Sequence, residues 1–170
     1  MNPIQLLILA GIAQVALTFI VWFVLFYRRV RELKRRKINP QKIATSTQSS
    51  AVMEDVRASD NFKHLFEMPV LFYFLIAVAL VTHMTSLGLS VLAWLYVGLR
   101  YLHSYIQCGK NQVLPRFYVF VASSVTLFAM WAVFAVSLVT ELQLSVLIDE
   151  ASHRLKKLGP CSISCTQRCP

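Results

Sequence analysis

Three stretches of this chain contain no Asp, Glu, Lys or Arg: Ile4 to Tyr27 (24 residues), Met68 to Leu99 (32) and Phe117 to Thr140 (24). A helix on the surface of a soluble protein keeps one wet face, and these stretches have none. They show no period-two alternation, so membrane-spanning strands fit them poorly. The chain is read as an all-α integral membrane protein. With 56% hydrophobic and only 15% charged residues over 170, disorder is excluded for most of its length.

At about 1.5 Å per residue, 24 residues cover about 36 Å, enough to cross a hydrocarbon core of roughly 30 Å with some tilt. The 32-residue run is too long for one ordinary span and too short for two complete ones. Thr82-His83-Met84-Thr85-Ser86-Leu87-Gly88 reads as a tight polar connection inside it. A single helix over 68–90 would instead strand Ser90 to Leu99 as apolar loop beside lipid, where backbone groups lack partners. Four spans are therefore expected, at about 4–28, 59–83, 88–109 and 115–141. They form one transmembrane four-helix domain over residues 1–142, followed by a basic, cysteine-containing tail, 143–170, expected to be poorly ordered.

The first span is followed by Arg28, Arg29, Arg31, Lys34, Arg35, Arg36 and Lys37 and has no basic residue before it. A cleaved signal peptide has the reverse charge order, so this segment is an anchor. The positive-inside rule places the basic run in the cytoplasm and the N-terminus outside. Residues 28–67 and 100–116, both cytoplasmic on this reading, hold 13 of the 17 Lys and Arg. A basic run lying against a span reads as a topology signal on anionic headgroups and not as a nucleic-acid patch, so no nucleic-acid partner is expected. Residues 38–53, rich in Ser, Thr, Gln and Ala, are expected to form a cytoplasmic loop. Cys161, Cys165 and Cys169 match no common zinc spacing, and no metal site is expected.

Ionisable groups inside spans are costly, and function is sought where they cluster. Asp60, His64 and Glu67 stand at i, i+4 and i+7 on one helix face, with Arg57 and Asn61 a turn below. Across the hairpin, Arg100, His103 and Gln107 form a similar stripe, and both stripes lie at cytoplasmic helix ends. Arg100 is expected to pair with Glu67 or Asp60, and Lys110, Asn111 and Arg116 add donors at the same depth. A cleft holding both signs suits a small polar ligand from the cytoplasm meeting an apolar partner from lipid. Polar groups clustered at one face disfavour a channel or transporter.

At these residues the chain resembles the MAPEG family, the membrane-associated proteins in eicosanoid and glutathione metabolism. The resemblance rests on Arg57-Ala58-Ser59-Asp60-Asn61-Phe62-Lys63-His64-Leu65-Phe66-Glu67-Met68-Pro69 and on Arg100-Tyr101-Leu102-His103-Ser104-Tyr105. It covers roughly residues 4–142, and the wording is nearest the bacterial branch, which implies an inner-membrane location. It implies a four-helix subunit, a homotrimer, and glutathione held near the cytoplasmic face. On this resemblance Arg57, Asn61, His64, Glu67, Arg100, His103 and Tyr105 bind glutathione, and Arg100 and Arg116 activate its thiol. The family's second-span Glu falls at His64, and Glu67 would receive the glutathione amino group. The activity implied is a glutathione transferase or peroxidase acting on lipophilic electrophiles or lipid hydroperoxides. The alternative is a non-catalytic lipid- or fatty-acid-binding protein of the same fold.

Overall fold

The computed structural model describes residues 2–37, 57–109 and 112–157. The expected loop at 38–53, Lys110, Asn111 and the three tail cysteines lie outside the described residues. Five helices follow in order: α1 (Pro3–Arg36), α2 (Arg57–His64), α3 (Met68–Val81), α4 (Leu87–Cys108) and α5 (Val113–Lys157). Helices α2 and α3 together make the second span, so the four expected spans are all present as an all-α, membrane-spanning four-helix bundle. The chain divides into two compact units, Met1–Phe134 and Ala135–Pro170. The bundle and the candidate site belong to the first. In the second, α5 runs on past residue 141 to Lys157, so residues 143–157 are helical where an irregular tail is expected, and no residue from Ala135 to Arg154 is buried.

Pro3 opens α1, where its missing N–H costs nothing and its fixed φ suits a first turn. The buried residues of α1 are Leu7, Ala10, Gln14, Leu17 and Val21, in steps of three and four. That is the narrow seam of a helix packed nearly parallel to its neighbour. The neighbour is α4. Ser90 Oγ donates to the Pro3 carbonyl (3.1 Å), Tyr101 OH to the Ala13 carbonyl (2.8 Å) and Arg28 Nη2 to the Cys108 carbonyl (2.8 Å). Partners rise together along both helices, so the first and third spans run in the same direction, as four alternating spans require.

Helix α3 ends in a Schellman motif. His83 takes a left-handed φ of 57°, its N–H donates to Leu80 O (3.3 Å), and Met84 N–H donates to Ala79 O (3.0 Å). Ser86 then caps α4 by accepting from the Leu89 N–H at 3.1 Å. The polar connection between the middle spans is thus residues 82–86, within the segment read from the sequence. Phe72 of α3 stacks on Tyr96 of α4 with ring centroids 4.6 Å apart, and both are fully buried. Large exposed side chains, including Phe19, Phe23, Phe26, Val91 and Phe128, face the lipid.

The second span is not one helix. Pro69 has no N–H to return to Leu65, and its ring crowds that carbonyl. Leu65 to Glu67 therefore tighten into a turn in which Phe66 N–H reaches Lys63 O (2.9 Å), a three-residue step. Glu67 caps α3 with φ −91° and ψ −90°, off the helical basin.

Phe72→Ala is expected to cost about 3–5 kcal/mol, the range for deleting a fully buried aromatic ring. The lipid-facing Phe19→Ala is expected to cost less than about 1 kcal/mol. Unfolding of the detergent-solubilised variants measures both.

Candidate functional site

The break at Pro69 leaves the His64 carbonyl outside the α3 ladder. Arg100 Nη2 takes it, at 2.8 Å. Arg100 is 0% exposed, and its Nε and Nη1 have no partner among the described residues. The expected ion pair of Arg100 with Glu67 or Asp60 does not form. Glu67 Oε2 lies 2.8 Å from His64 Nδ1 instead, and Asp60 lies 3.7 Å from Lys63 Nζ on its own exposed helix face. The physical reason is the turn itself, which carries Glu67 outward while presenting a backbone carbonyl inward.

His103, one turn beyond Arg100, is 2% exposed. Its Nδ1 faces the Arg116 carbonyl at 3.3 Å. A carbonyl only accepts, so Nδ1 carries the proton and Nε2 is a bare acceptor; that Nε2 has no partner among the described residues. The same logic applies to His64, whose Nδ1–H faces a carboxylate. The two imidazoles stand edge to face with centroids 6.3 Å apart, and Phe120 of α5 touches both, at 6.1 Å from His64 and 5.8 Å from His103. Gln107, a further turn down α4, is buried with its Oε1 unpartnered. Arg100, His103 and Gln107 therefore line one buried stripe, as their spacing predicts, and α2 supplies His64 to its upper part.

Arg57 and Asn61 lie at the foot of the cluster, against the end of α4. Arg57 Nη1 donates to the Gly109 carbonyl (2.7 Å), beside the Arg28 bond to Cys108 O. Two guanidinium groups thus meet the carbonyls that a helix C-terminus leaves open, where positive charge is also favoured by the helix dipole. Asn61 is fully buried; its Nδ2 donates to Cys108 Sγ (3.4 Å), and its Oδ1 accepts from Ser104 Oγ (3.4 Å). Both ends of this amide are occupied by α4, which clips α2 in place.

Tyr105 is two residues past His103, about 200° around the helix. It is 79% exposed and lines a groove of about 380 Å³ between α1 and α4 with Tyr101, Ser104, Cys108 and Arg28. The structure does not bring it to the stripe. Arg116 contributes its backbone carbonyl to His103, and its side chain is half-buried. A second groove, about 470 Å³ and almost wholly apolar, lies between α1 and the α2–α3 break, lined by Val15, Thr18, Phe19, Trp22, Phe62, Leu65, Phe66, Val70 and Tyr73.

Phe120, Ser104 and Cys108 are site neighbours that sequence reading does not single out. Phe120 sits inside an apolar run where nothing distinguishes it. Ser104 falls next to His103 on the helix and was findable from that register alone.

Asn61→Ala is expected to lower stability by about 1–3 kcal/mol, because it strands the buried Ser104 hydroxyl and loses the clip to α4. Asp60→Ala, at an exposed pair, is expected to stay within about 0.5 kcal/mol. Thermal denaturation of the two variants distinguishes them.

Among known proteins, neither a curated protein nor a solved structure matches the chain. One family description does, MAPEG family, over residues 7–136. The match takes in all of the first-unit elements that build the stripe, from the α1 seam through α2 and α4 to Phe120. This chain belongs to the MAPEG family.

Proposed function

We propose that the protein binds glutathione at the basic end of the bundle and joins it through its sulfur to lipophilic electrophiles, or uses it to reduce lipid hydroperoxides, at the membrane. Arg100 is the observation that supports this most directly. A guanidinium inside a membrane bundle costs several kcal/mol unless neutralised, and Arg100 meets only a carbonyl, with two nitrogens left over. A carboxylate suits those nitrogens. The bare Nε2 atoms of His103 and His64 call for donors on the same ligand. Glutathione carries carboxylates, an ammonium group and amide N–H groups, so the donor set fits it. When bound, glutathione supplies a thiol nucleophile.

The chain's own residues then have distinct tasks. Arg100 holds a carboxylate and keeps a positive field at the site, which favours thiolate over thiol. His103 accepts a donor and is itself oriented by the Arg116 carbonyl. Glu67 keeps one oxygen for the ligand's ammonium group while the other holds His64. Arg57 and Asn61 set the position of α2 against α4, with the Arg57 side chain at the mouth. Arg116 completes the set from the α5 flank, and Tyr105 belongs to the separate groove between α1 and α4. The acceptor arrives from the bilayer by the apolar groove beside Phe62 and Phe66. The same groove supports the second reading, a non-catalytic lipid-binding protein, which binds an acyl chain but forms no thiolate.

The basic end is proposed to face the cytoplasm, with the N-terminus outside, and the protein to work as a homotrimer. An impermeant thiol reagent added to intact cells is expected to modify Thr85→Cys but to reach Arg36→Cys only after permeabilisation. Cross-linking of purified protein is expected to stop at three subunits.

Arg100→Gln is expected to weaken glutathione binding at least about tenfold, as loss of a buried charge-assisted bond does. Arg31→Gln, on the exposed basic run, is expected to leave it unchanged. Calorimetry on the purified protein reads both; equal affinities in the two variants would place the site elsewhere.

A further inference from the structure

From the geometry of the α2–α3 break we infer that His64 and Glu67 form a base dyad, in which His64 Nε2 takes the proton of a thiol bound beside Arg100 and Glu67 holds the imidazole in the tautomer that permits it. This inference rests on the thiol-binding reading above and adds to it the residue that moves the proton.

Four observations converge. First, His64 Nδ1 and Glu67 Oε2 are 2.8 Å apart, a charge-assisted contact that fixes the proton on Nδ1 and leaves Nε2 with a free lone pair. Second, the backbone on both sides of the contact is fixed. The three-residue spacing is one at which helical side chains meet, the turn forced by Pro69 sets Glu67 at a non-helical cap, and Arg100 holds the His64 carbonyl. Third, the His64 side chain is 38% exposed, so its ring is the more open of the two to a soluble ligand, His103 being 2% exposed. Fourth, only His64 has a carboxylate behind it. A proton arriving on His64 creates an imidazolium against Glu67; a proton arriving on His103 would place a second cation one turn from Arg100 with only a neutral carbonyl behind it.

The charged and titratable groups around His64 are Asp60 and Lys63 on its own helix, Glu67 in the turn, Arg100 and His103 on α4 and Arg116 on α5. Asp60 and Lys63 pair with each other on the exposed side. Glu67 is the anion in direct contact, and Arg100 contacts the backbone only.

The step balances simply. The S–H bond breaks, an N–H bond forms at His64 Nε2, the electron pair stays on sulfur, and Glu67 stabilises the imidazolium. After sulfur bonds to the electrophile, the same proton passes to the atom that received the electron pair, and His64 is neutral again. Glu67 is a positioning residue here and His64 the base.

Three purified proteins test this in detergent: the wild type, His64→Gln and Glu67→Gln. Glutathione binding is read first by calorimetry, and its absence in the wild type would overturn the thiol-binding reading and this one together. With binding present, thiolate absorbance near neutral pH is compared at glutathione concentrations that saturate each protein. His64→Gln is expected to lose about tenfold or more of the thiolate signal shown by the wild type. Glu67→Gln is expected to lose part of it, since the imidazolium that accompanies the thiolate is then without its carboxylate. A readout free of any thiol is the rate at which diethylpyrocarbonate acylates His64, followed by peptide mass spectrometry, and it is expected to drop in Glu67→Gln. Unchanged thiolate formation at saturating glutathione in His64→Gln would overturn the dyad and leave Arg100 alone as the activator.

Discussion

The bond from Arg100 Nη2 to the His64 carbonyl ties the bundle's second and third spans together where each is least able to stand alone. A carbonyl freed from its helical ladder inside a membrane is costly, and a guanidinium buried there is costlier. Each removes part of the other's penalty. The bond exists because Pro69 interrupts the second span one turn too early for an uninterrupted helix, and because α4 carries an arginine at the matching depth. Without the break, Arg100 would face a closed backbone.

This pairing also explains why α4 is the least apolar of the spans. The other three are long and apolar enough to cross a membrane on composition alone, and α4 falls outside that group. Its polar residues, Ser90, Arg100, His103, Ser104 and Gln107, are all buried, while Trp94, Leu95 and Leu102 face outward. In lipid the hydrophobic drive between helices is weak, and close packing and hydrogen bonds carry association. Helix α4 follows that rule along its whole length. It bonds to the start of α1 through Ser90, to its middle through Tyr101 and to its basic end through Arg28. The bundle is therefore assembled around its most polar helix.

Much of this was legible in the residues. Charge-free runs marked the helices of the bundle, although the first runs on to Arg36 and the last to Lys157, and the polar connection at Thr82–Gly88 was found from composition because a hairpin in lipid needs side chains that cap both ends. The stripe Arg100, His103, Gln107 was read correctly as one face, since helical spacing is fixed by backbone geometry. The pairing across helices was not. Opposite charges at equal depth suggested Arg100 with Glu67 or Asp60, but the competitor was a backbone carbonyl, and backbone groups are invisible to a reading of side-chain types. Pro69 held the missing signal: a proline within a span frees the carbonyl four residues before it, here Leu65, and the turn it disturbs opens the His64 carbonyl next to it. Tyr105 was drawn toward the site by proximity in sequence, although two steps along a helix point to the opposite side. The helical stretch beyond residue 141 was hidden by its mixed composition, where the short apolar group Leu144, Val146, Leu147 and Ile148 lies between Glu141 and the Asp149–Glu150 pair.

The departure at His64 changes what the site needs. Where the resemblance expects a glutamate, an anion in that place would face Arg100 directly and satisfy it, leaving the guanidinium less free for a ligand's carboxylate. An imidazole does not compete in this way: it brings no negative charge to the interior, and its carbonyl, not its ring, engages Arg100. The carboxylate is then displaced three residues outward to Glu67, behind the ring. The outcome is a layered arrangement from bundle interior to surface: Arg100 is fully buried, and the His64 and Glu67 side chains are 38% and 59% exposed. On the proposed reading, a ligand carboxylate entering from the surface passes the His64–Glu67 pair to reach Arg100. The local fold of the second span thus sets the order in which the three side chains meet a ligand.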